Sequence, residues 1–379
     1  MFVIISYFLT HRNITFEDYD SEIRIPFLIY LISIIPSFIN VQRPFSSILM
    51  LYHLVAFFLI IIITKNYFTD ENSIKKFIYT YLILVLANTL YLFYQTILVD
   101  KRTFGFTGIM YVDYVGIAVI ITLINLIFKS GVKKIIWGIL FSIFTIGLIV
   151  TQTRSSWLVT ATTTLLFGIY LFINSAKFNI SKFKLIISAS VILIFISILI
   201  FQTTSLNPKI AERAVEYTSS NTNFDKGGLA VNSLVSRMLI WTTAVNAFIA
   251  HPFVGIGVYA FPYTSYLYNK LPKYLFDEYV NGLSAHLTFL AVAVETGIIG
   301  LIGFLIFLFS VFKNNYQLLK ISTLKEIKTH NLSIAWSLIY IIVSMFVTDA
   351  WLWGQGILLF GIFIGLMLSK LKFLKSVSF

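Results

Sequence analysis

Three side chains in this sequence have the type and setting for group-transfer chemistry: His286, Arg237 and Arg154. His286 opens the apolar run AHLTFLAVAVETGIIGLIGFL. A neutral imidazole, with an ordinary pKa of about 6.5, can take a proton from an attacking hydroxyl. A lone histidine at a helix entrance serves equally well as an interfacial hydrogen-bonding residue. The other four histidines form no metal cluster with it. His53 lies within an apolar span, His11 and His330 fall on the opposite side, and His251 adjoins Pro252. Arg237 begins a helical-looking run with Trp241, Val245 and Phe248 at helical spacing, which Pro252, Gly255 and Gly257 then break. Arg154 sits in TQTRSSWL, between two spans. A guanidinium offers a fixed fork of donors that suits phosphate, although an arginine at a helix end also snorkels without further purpose.

Other polar residues fit structural roles. Glu295 lies nine residues beyond His286. On a regular helix it would face the opposite side, about 13 Å deeper, and a carboxyl at that depth belongs in the bundle interior. Gly297, Gly300 and Gly303 would let another helix approach closely. Asp349, in the tight turn TDAWLWG, would orient an arginine or cap a helix. Arg213, beside Glu212 and Glu216, reads as a salt-bridged solvated face. The triplet Asp18-Tyr19-Asp20 has the D-x-D form of a metal-holding motif, but it falls in a polar linker on the inner side. There is no Walker loop, no G-x-G-x-x-G and no G-x-S-x-G.

These residues must be positioned by membrane-spanning helices. Of 379 residues, 58% are hydrophobic and 12% charged, against about 25% charged in soluble domains. No cysteine is present, which excludes disulfides and thiolate metal sites. The 37 phenylalanines and 21 tyrosines suit lipid-facing and interfacial packing. A bilayer core needs about 20 apolar residues per helix, which predicts spans at 25–40, 46–64, 77–98, 109–128, 132–151, 156–174, 183–201, 286–312, 332–348 and 351–369. Between 201 and 286 lies one polar excursion, with helices expected at about 207–218 and 235–250. The second is apolar on most faces, so it should lie at the membrane interface or pack on the bundle. The fold class is therefore all-α, a polytopic bundle of about 10–12 spans with one large extracytoplasmic loop containing short helices. The expected organisation is 1–201, 202–285 and 286–379 within one integrated membrane domain.

With the large loop outside and the spans alternating, 18 of the 28 basic residues fall in inner segments. Only Arg43, Lys101, Arg102 and Arg154 fall in short outer loops. The positive-inside rule then predicts that both termini are cytoplasmic, and the net charge of +12 reports those inner loops rather than nucleic acid. The inner clusters are mainly lysine and the outer set is richer in arginine. An outward-facing enzyme has no ATP or nucleotide sugar at hand, so its substrate must be already activated and membrane-borne.

Three patches resemble the O-antigen ligase and O-antigen polymerase superfamily of bacterial envelope enzymes. TQTRSSWL is similar to that family's T-x-x-R motif. SRMLIWTTAVNAFIAHPFVGIGVYAF is similar to its R-x3-W-x-x-A…P-x-x-G-x-G-x-x-F motif, and AHLTFLAVAVETGIIGLIGFL to its A-H-N-x-x-L-x-x-x-x-E-x-G-x-x-G-L motif. A fainter match is KRTFGFTG, beginning Lys101-Arg102. The resemblance implies a metal-independent transferase, without cofactor, acting on an undecaprenyl-pyrophosphate-linked glycan and a glycan or lipid acceptor. The setting would be the outer face of the bacterial cytoplasmic membrane, among membrane lipids and other polysaccharide-assembly proteins. By that analogy Arg154 and Arg237 clamp the pyrophosphate and His286 activates the acceptor hydroxyl. Arg102, Arg213, Trp241 and Asp349 are carried as substrate-binding candidates, and Glu295, Gly297 and Gly300 as structural ones. Two departures stand out. Leu287 occupies the usual Asn position, and the family usually has around twelve spans. Ligase and polymerase are not separated by sequence. The alternatives are a lipid-linked oligosaccharide flippase, which should show repeat symmetry and more charges within spans, or a non-catalytic assembly subunit.

Overall fold

The computed structural model of the chain describes residues 21–98, 104–181, 224–225, 228–229, 233–322, 329–349 and 354–376. Most of these residues are helical, the described strands being a two-residue antiparallel bridge of Phe224–Asp225 with Gly228–Leu229, and loops join the helices. The all-α fold expected from hydropathy is what the chain adopts. Seven of the described helices are long and apolar enough to cross a membrane. The expected span 183–201, the expected helix 207–218, Arg102 and Arg213 lie outside the described residues.

The helices are α1 Ser21–Ile34, α2 Pro44–Tyr67, α3 Glu71–Leu98, α4 Tyr111–Phe128, α5 Gly131–Val150, α6 Arg154–Ile173, α7 Ser233–Ala250, α8 Phe261–Thr264, α9 Lys273–Tyr279, α10 Thr288–Ser322, α11 Thr329–Ser344 and α12 Gly354–Ser376. A 3-10 turn, Ile35–Asn40, follows α1, with Pro36 near its start. α2, α4, α5 and α6 agree with the predicted spans to within a few residues, whereas α3 begins at Glu71 rather than 77, α10 runs on to Ser322 rather than 312 and α12 to Ser376 rather than 369. α11 stops at Ser344 rather than 348. Residues 345–349 leave the helix, and the carbonyls of Met345, Val347 and Thr348 bond to other segments instead.

The chain divides into two compact units. The second comprises Phe68–Ser219, Tyr316–Ser344 and Phe373–Phe379. At its centre α4 is apolar on every face and almost wholly buried, packing against α5, α6 and α11. A helix of that composition is stable only inside a bundle or a bilayer.

The first unit comprises Met1–Tyr67, Ser220–Asn315 and Met345–Lys372. Its membrane core is aromatic. Phe27 of α1, Phe57 of α2, Phe307 of α10 and Phe360 of α12 are buried, with ring centroids 5.5–6.4 Å apart. These phenylalanines are interior packing rather than the lipid-facing surface that composition alone suggested. Ring pairs of this kind add about 0.5–1.5 kcal/mol each beyond their buried area.

α10 carries the largest departure from expectation. Its apolar run reads as one uninterrupted helix, yet Gly297 sits at φ 64°, ψ −170° and breaks it. The break is filled by the segment that follows α7. The amides of Ile298 and Ile299 donate to the carbonyls of Pro252 and Phe253, at 2.8 and 3.3 Å. In return, the amides of Ile256 and Gly257 donate to the carbonyls of Val294 and Glu295, each at 3.0 Å. Unpaired backbone groups at membrane depth cost several kcal/mol apiece, so a broken helix persists there only when another segment completes it. Two glycines make the approach possible. A Cβ on Gly297 would overlap the Phe253 carbonyl, and one on Gly255 would overlap the Glu295 carbonyl. Gly297 therefore accommodates a loop backbone and not a helix. Gly300 faces the Thr296 side chain of its own helix, and only Gly303 meets a neighbouring helix, at Tyr30 and Ser33 of α1.

Candidate active site

α7 brings two candidate residues to one place. Ile240, Ala244 and Ala247 are fully buried in a cluster with Phe261, Phe276, Val280, Ala285 and Val294. The helix thus packs within the first unit while Met238, Val245 and Ile249 remain exposed on its other side. This arrangement fixes Arg237 and Trp241, one turn apart. The Trp241 indole N–H donates to the Ala285 carbonyl at 3.0 Å, immediately before His286. Arg237 Nη1 donates to the Val347 carbonyl at 3.4 Å, two residues before Asp349.

The two segments so reached are laced to each other. Thr288 donates its amide to the Met345 carbonyl (3.2 Å) and its hydroxyl to the Thr348 carbonyl (2.7 Å). His286 donates its amide to Asp349 Oδ2 at 3.2 Å, and its ring Nδ1 stands 3.8 Å from Asp349 Oδ1. His286 precedes α10 rather than lying in it, at φ 51°. A left-handed conformation in a non-glycine residue costs about 1–3 kcal/mol and survives only where neighbours enforce it. Here Asp349 holds the His286 amide, while the bonds of Trp241 to Ala285 and of Thr288 to Met345 and Thr348 fix the chain on either side of it. Asp349, expected to orient an arginine or cap a helix, faces the histidine instead.

Electrostatically the pair is asymmetric. The Asp349 side chain is 6% exposed and that of His286 is 38% exposed. Burial opposes ionisation of Asp349, but hydrogen bonds from His286 and Ser284 outweigh it and hold the carboxyl below its usual range. A carboxylate beside Nδ1 leaves Nε2 as the nitrogen for a substrate, and it steadies the imidazolium that forms when Nε2 takes a proton. Among the described residues the Arg237 guanidinium bonds to a carbonyl and to no carboxylate, so its charge remains available to an anion.

Glu295 is buried, and its Oε2 accepts the Tyr259 amide at 2.9 Å, so it fastens the loop that closes the break in α10. Arg154 opens α6, in the second unit, after a turn in which Gln152 has φ 54°. That turn is held by the Trp157 indole, which donates to the Leu148 carbonyl at 2.9 Å. Among the described residues no three His, Asp or Glu stand together as metal ligands. Sequence reasoning passed over Ser284 and Thr288. The only signal they carried was adjacency to His286.

Fold and site together describe a multi-pass helical membrane protein with an imidazole–carboxylate pair at the mouth of a broken helix. Residues 137–305 match the family model described as O-antigen ligase, which bears out the resemblance over that stretch and supports an O-antigen-ligase type of function in polysaccharide assembly. The matched stretch includes Arg154, Arg237, Trp241, His286, Glu295 and Gly297; Asp349 lies beyond it. No curated protein matches the chain.

Proposed function

We propose that the chain is a glycosyltransferase that moves a glycan from undecaprenyl pyrophosphate to an acceptor hydroxyl at the outer face of the bacterial cytoplasmic membrane. The observation that carries this reading is the His286–Asp349 pair, tied through residues 345–349 to the same turn that receives Arg237. His286 Nε2 takes the acceptor proton. The acceptor oxygen bonds to the anomeric carbon from the face opposite the leaving group, and the C–O bond to pyrophosphate breaks with its electron pair departing on the lipid pyrophosphate. Arg237 meets the charge that develops there. Such preorganised charge is the dominant contribution in transfers of this kind. No residue in this scheme requires a metal. Polymerisation and ligation share this chemistry and differ only in the acceptor.

The test is a deletion strain complemented with wild type, Arg237→Ala or His286→Ala, with surface and lipid-linked glycans profiled on gels. Single repeat units without long chains identify a polymerase. Long chains held on lipid pyrophosphate identify a ligase. Full complementation by either variant refutes the reading.

A further inference from the structure

The first unit, which holds the His286–Asp349 pair, also carries a surface that the transfer scheme leaves unused. The segment joining α1 to α2 is fastened to the loop that fills the break in α10. Asn40 Nδ2 donates to the Gly255 carbonyl at 2.8 Å, and Ser47 Oγ to the Val258 carbonyl at 2.6 Å. Between these anchors stands Arg43, exposed, its Cζ 5.1 Å from the centroid of the Tyr263 ring. Tyr263 meets Tyr259 edge to face at 5.9 Å and 75°. Tyr259 is held at φ 55°, its amide on Glu295 Oε2. A strip therefore runs from Glu295, at the break in α10, through two tyrosines to an arginine.

Among the described residues the Arg43 guanidinium pairs with no carboxylate. A guanidinium lying on an aromatic face keeps its in-plane donors for a planar anion. A pyrophosphate has no use for an aromatic floor. A sugar ring does, because its axial C–H groups pack on tyrosine faces while its hydroxyls and any acidic group reach polar neighbours.

We propose that Arg43, backed by Tyr263 and Tyr259, recognises an anionic group carried on a sugar ring, such as a uronic acid carboxylate, in the glycan handled at His286. The proposal rests on the transferase reading for the identity of the glycan, and on the strip alone for its charge. Arg43 is a specificity residue here and takes no part in the transfer itself.

The full chain in lipid nanodiscs provides the test. The probes are a tetrasaccharide alternating glucuronic acid with N-acetylglucosamine, and the neutral, fully N-acetylated form of chitotetraose. Wild type should bind the acidic probe more tightly by on the order of tenfold, the scale of one hydrogen-bonded charge pair. Arg43→Ala should abolish that preference without changing chitotetraose binding, Arg43→Lys should keep part of it, and Tyr263→Ala should weaken both probes. Excess inorganic pyrophosphate should leave acidic-probe binding intact. The proposal is overturned if wild type does not discriminate, if Arg43→Ala still does, or if pyrophosphate displaces the acidic probe, which would assign Arg43 to the lipid phosphate. Glycan profiles of His286→Ala separate the two readings. An inactive His286→Ala beside an unaltered Arg43→Ala fails the subsite alone, whereas an active His286→Ala with intact Arg43 discrimination fails the transferase alone.

Discussion

Phe253 and Gly297 meet backbone to backbone, with the Phe253 carbonyl occupying the space where a side chain on residue 297 would begin. The two lie in separate motifs, P-x-x-G-x-G and E-x-G, and the structure makes those motifs the two halves of one joint. Gly297→Ala should therefore be severe. It combines a left-handed φ with a clash against main chain, an expected loss of about 3 kcal/mol or more. Gly300→Ala has no left-handed φ to add strain, but it meets the Cβ of Thr296, which no rotamer change moves aside, so α10 must shift locally and the loss should be real but smaller than at Gly297. Thermal unfolding of both variants in detergent checks the order. Equal melting temperatures would remove the joint from the explanation.

The Asp349–His286 pair predicts a non-additive defect. Asp349→Asn keeps the shape and loses the charge behind Nδ1, and should slow transfer by about 10–100-fold. His286→Ala should cost about 100–10,000-fold, the range for loss of a general base. The double variant should be no worse than His286→Ala, because both act on one proton transfer. Initial rates with reconstituted protein would measure this, and multiplicative losses would mean that Asp349 acts elsewhere.

Asp349 also sets an acid limit. Its carboxyl titrates below the usual value, so the folded state favours its charged form. That contribution is complete above the ordinary carboxylate pKa of about 4 and is lost as pH falls through the lowered folded value. Wild type should lose thermal stability as pH drops below about 4, and Asp349→Asn should show a flatter profile over the same interval.

Trp241→Phe removes one indole donor and leaves the Ala285 carbonyl without it. The expected cost is about 1 kcal/mol of stability, with a fall in transfer rate because residue 286 is next in the chain. A variant that keeps its full rate would show that His286 is positioned without α7.

The natural absence of cysteine allows single-cysteine topology mapping. A cysteine at Lys226 should react with a membrane-impermeant maleimide added outside intact cells, and one at the exposed Lys177 should not. The reverse result would invert the orientation and place His286 on the wrong side for a lipid-pyrophosphate glycan.

Much of this was legible from composition and spacing, because hydropathy is a property of single segments. α2, α4, α5 and α6 begin and end within a few residues of the predicted spans. His286, Arg237 and Trp241 stand out as polar or aromatic residues at the edges of apolar runs. The break at Gly297 is invisible to the same reasoning, because E-T-G inside a long apolar run does not lower its hydropathy enough to end a span. Its cause is a loop some 40 residues upstream. Asp349 is likewise 63 residues from His286, and nothing local distinguishes a capping aspartate from one that faces an imidazole. Pairings between distant segments are decided by packing, which a linear reading does not contain.

The turn that receives Arg237, Thr288 and His286 comes from residues 345–349, about 60 residues or more after each of the three. During synthesis, α7 and the loop after it leave the ribosome first, then the two halves of α10, and only afterwards the segment with Val347 and Asp349. The loop can meet the broken helix once α10 is made, but the imidazole acquires its carboxylate only after the segment 63 residues further along has followed. A chain halted between those two points can thus hold the joint without the pair. The order of translation separates the building of the scaffold from the pairing of imidazole with carboxylate.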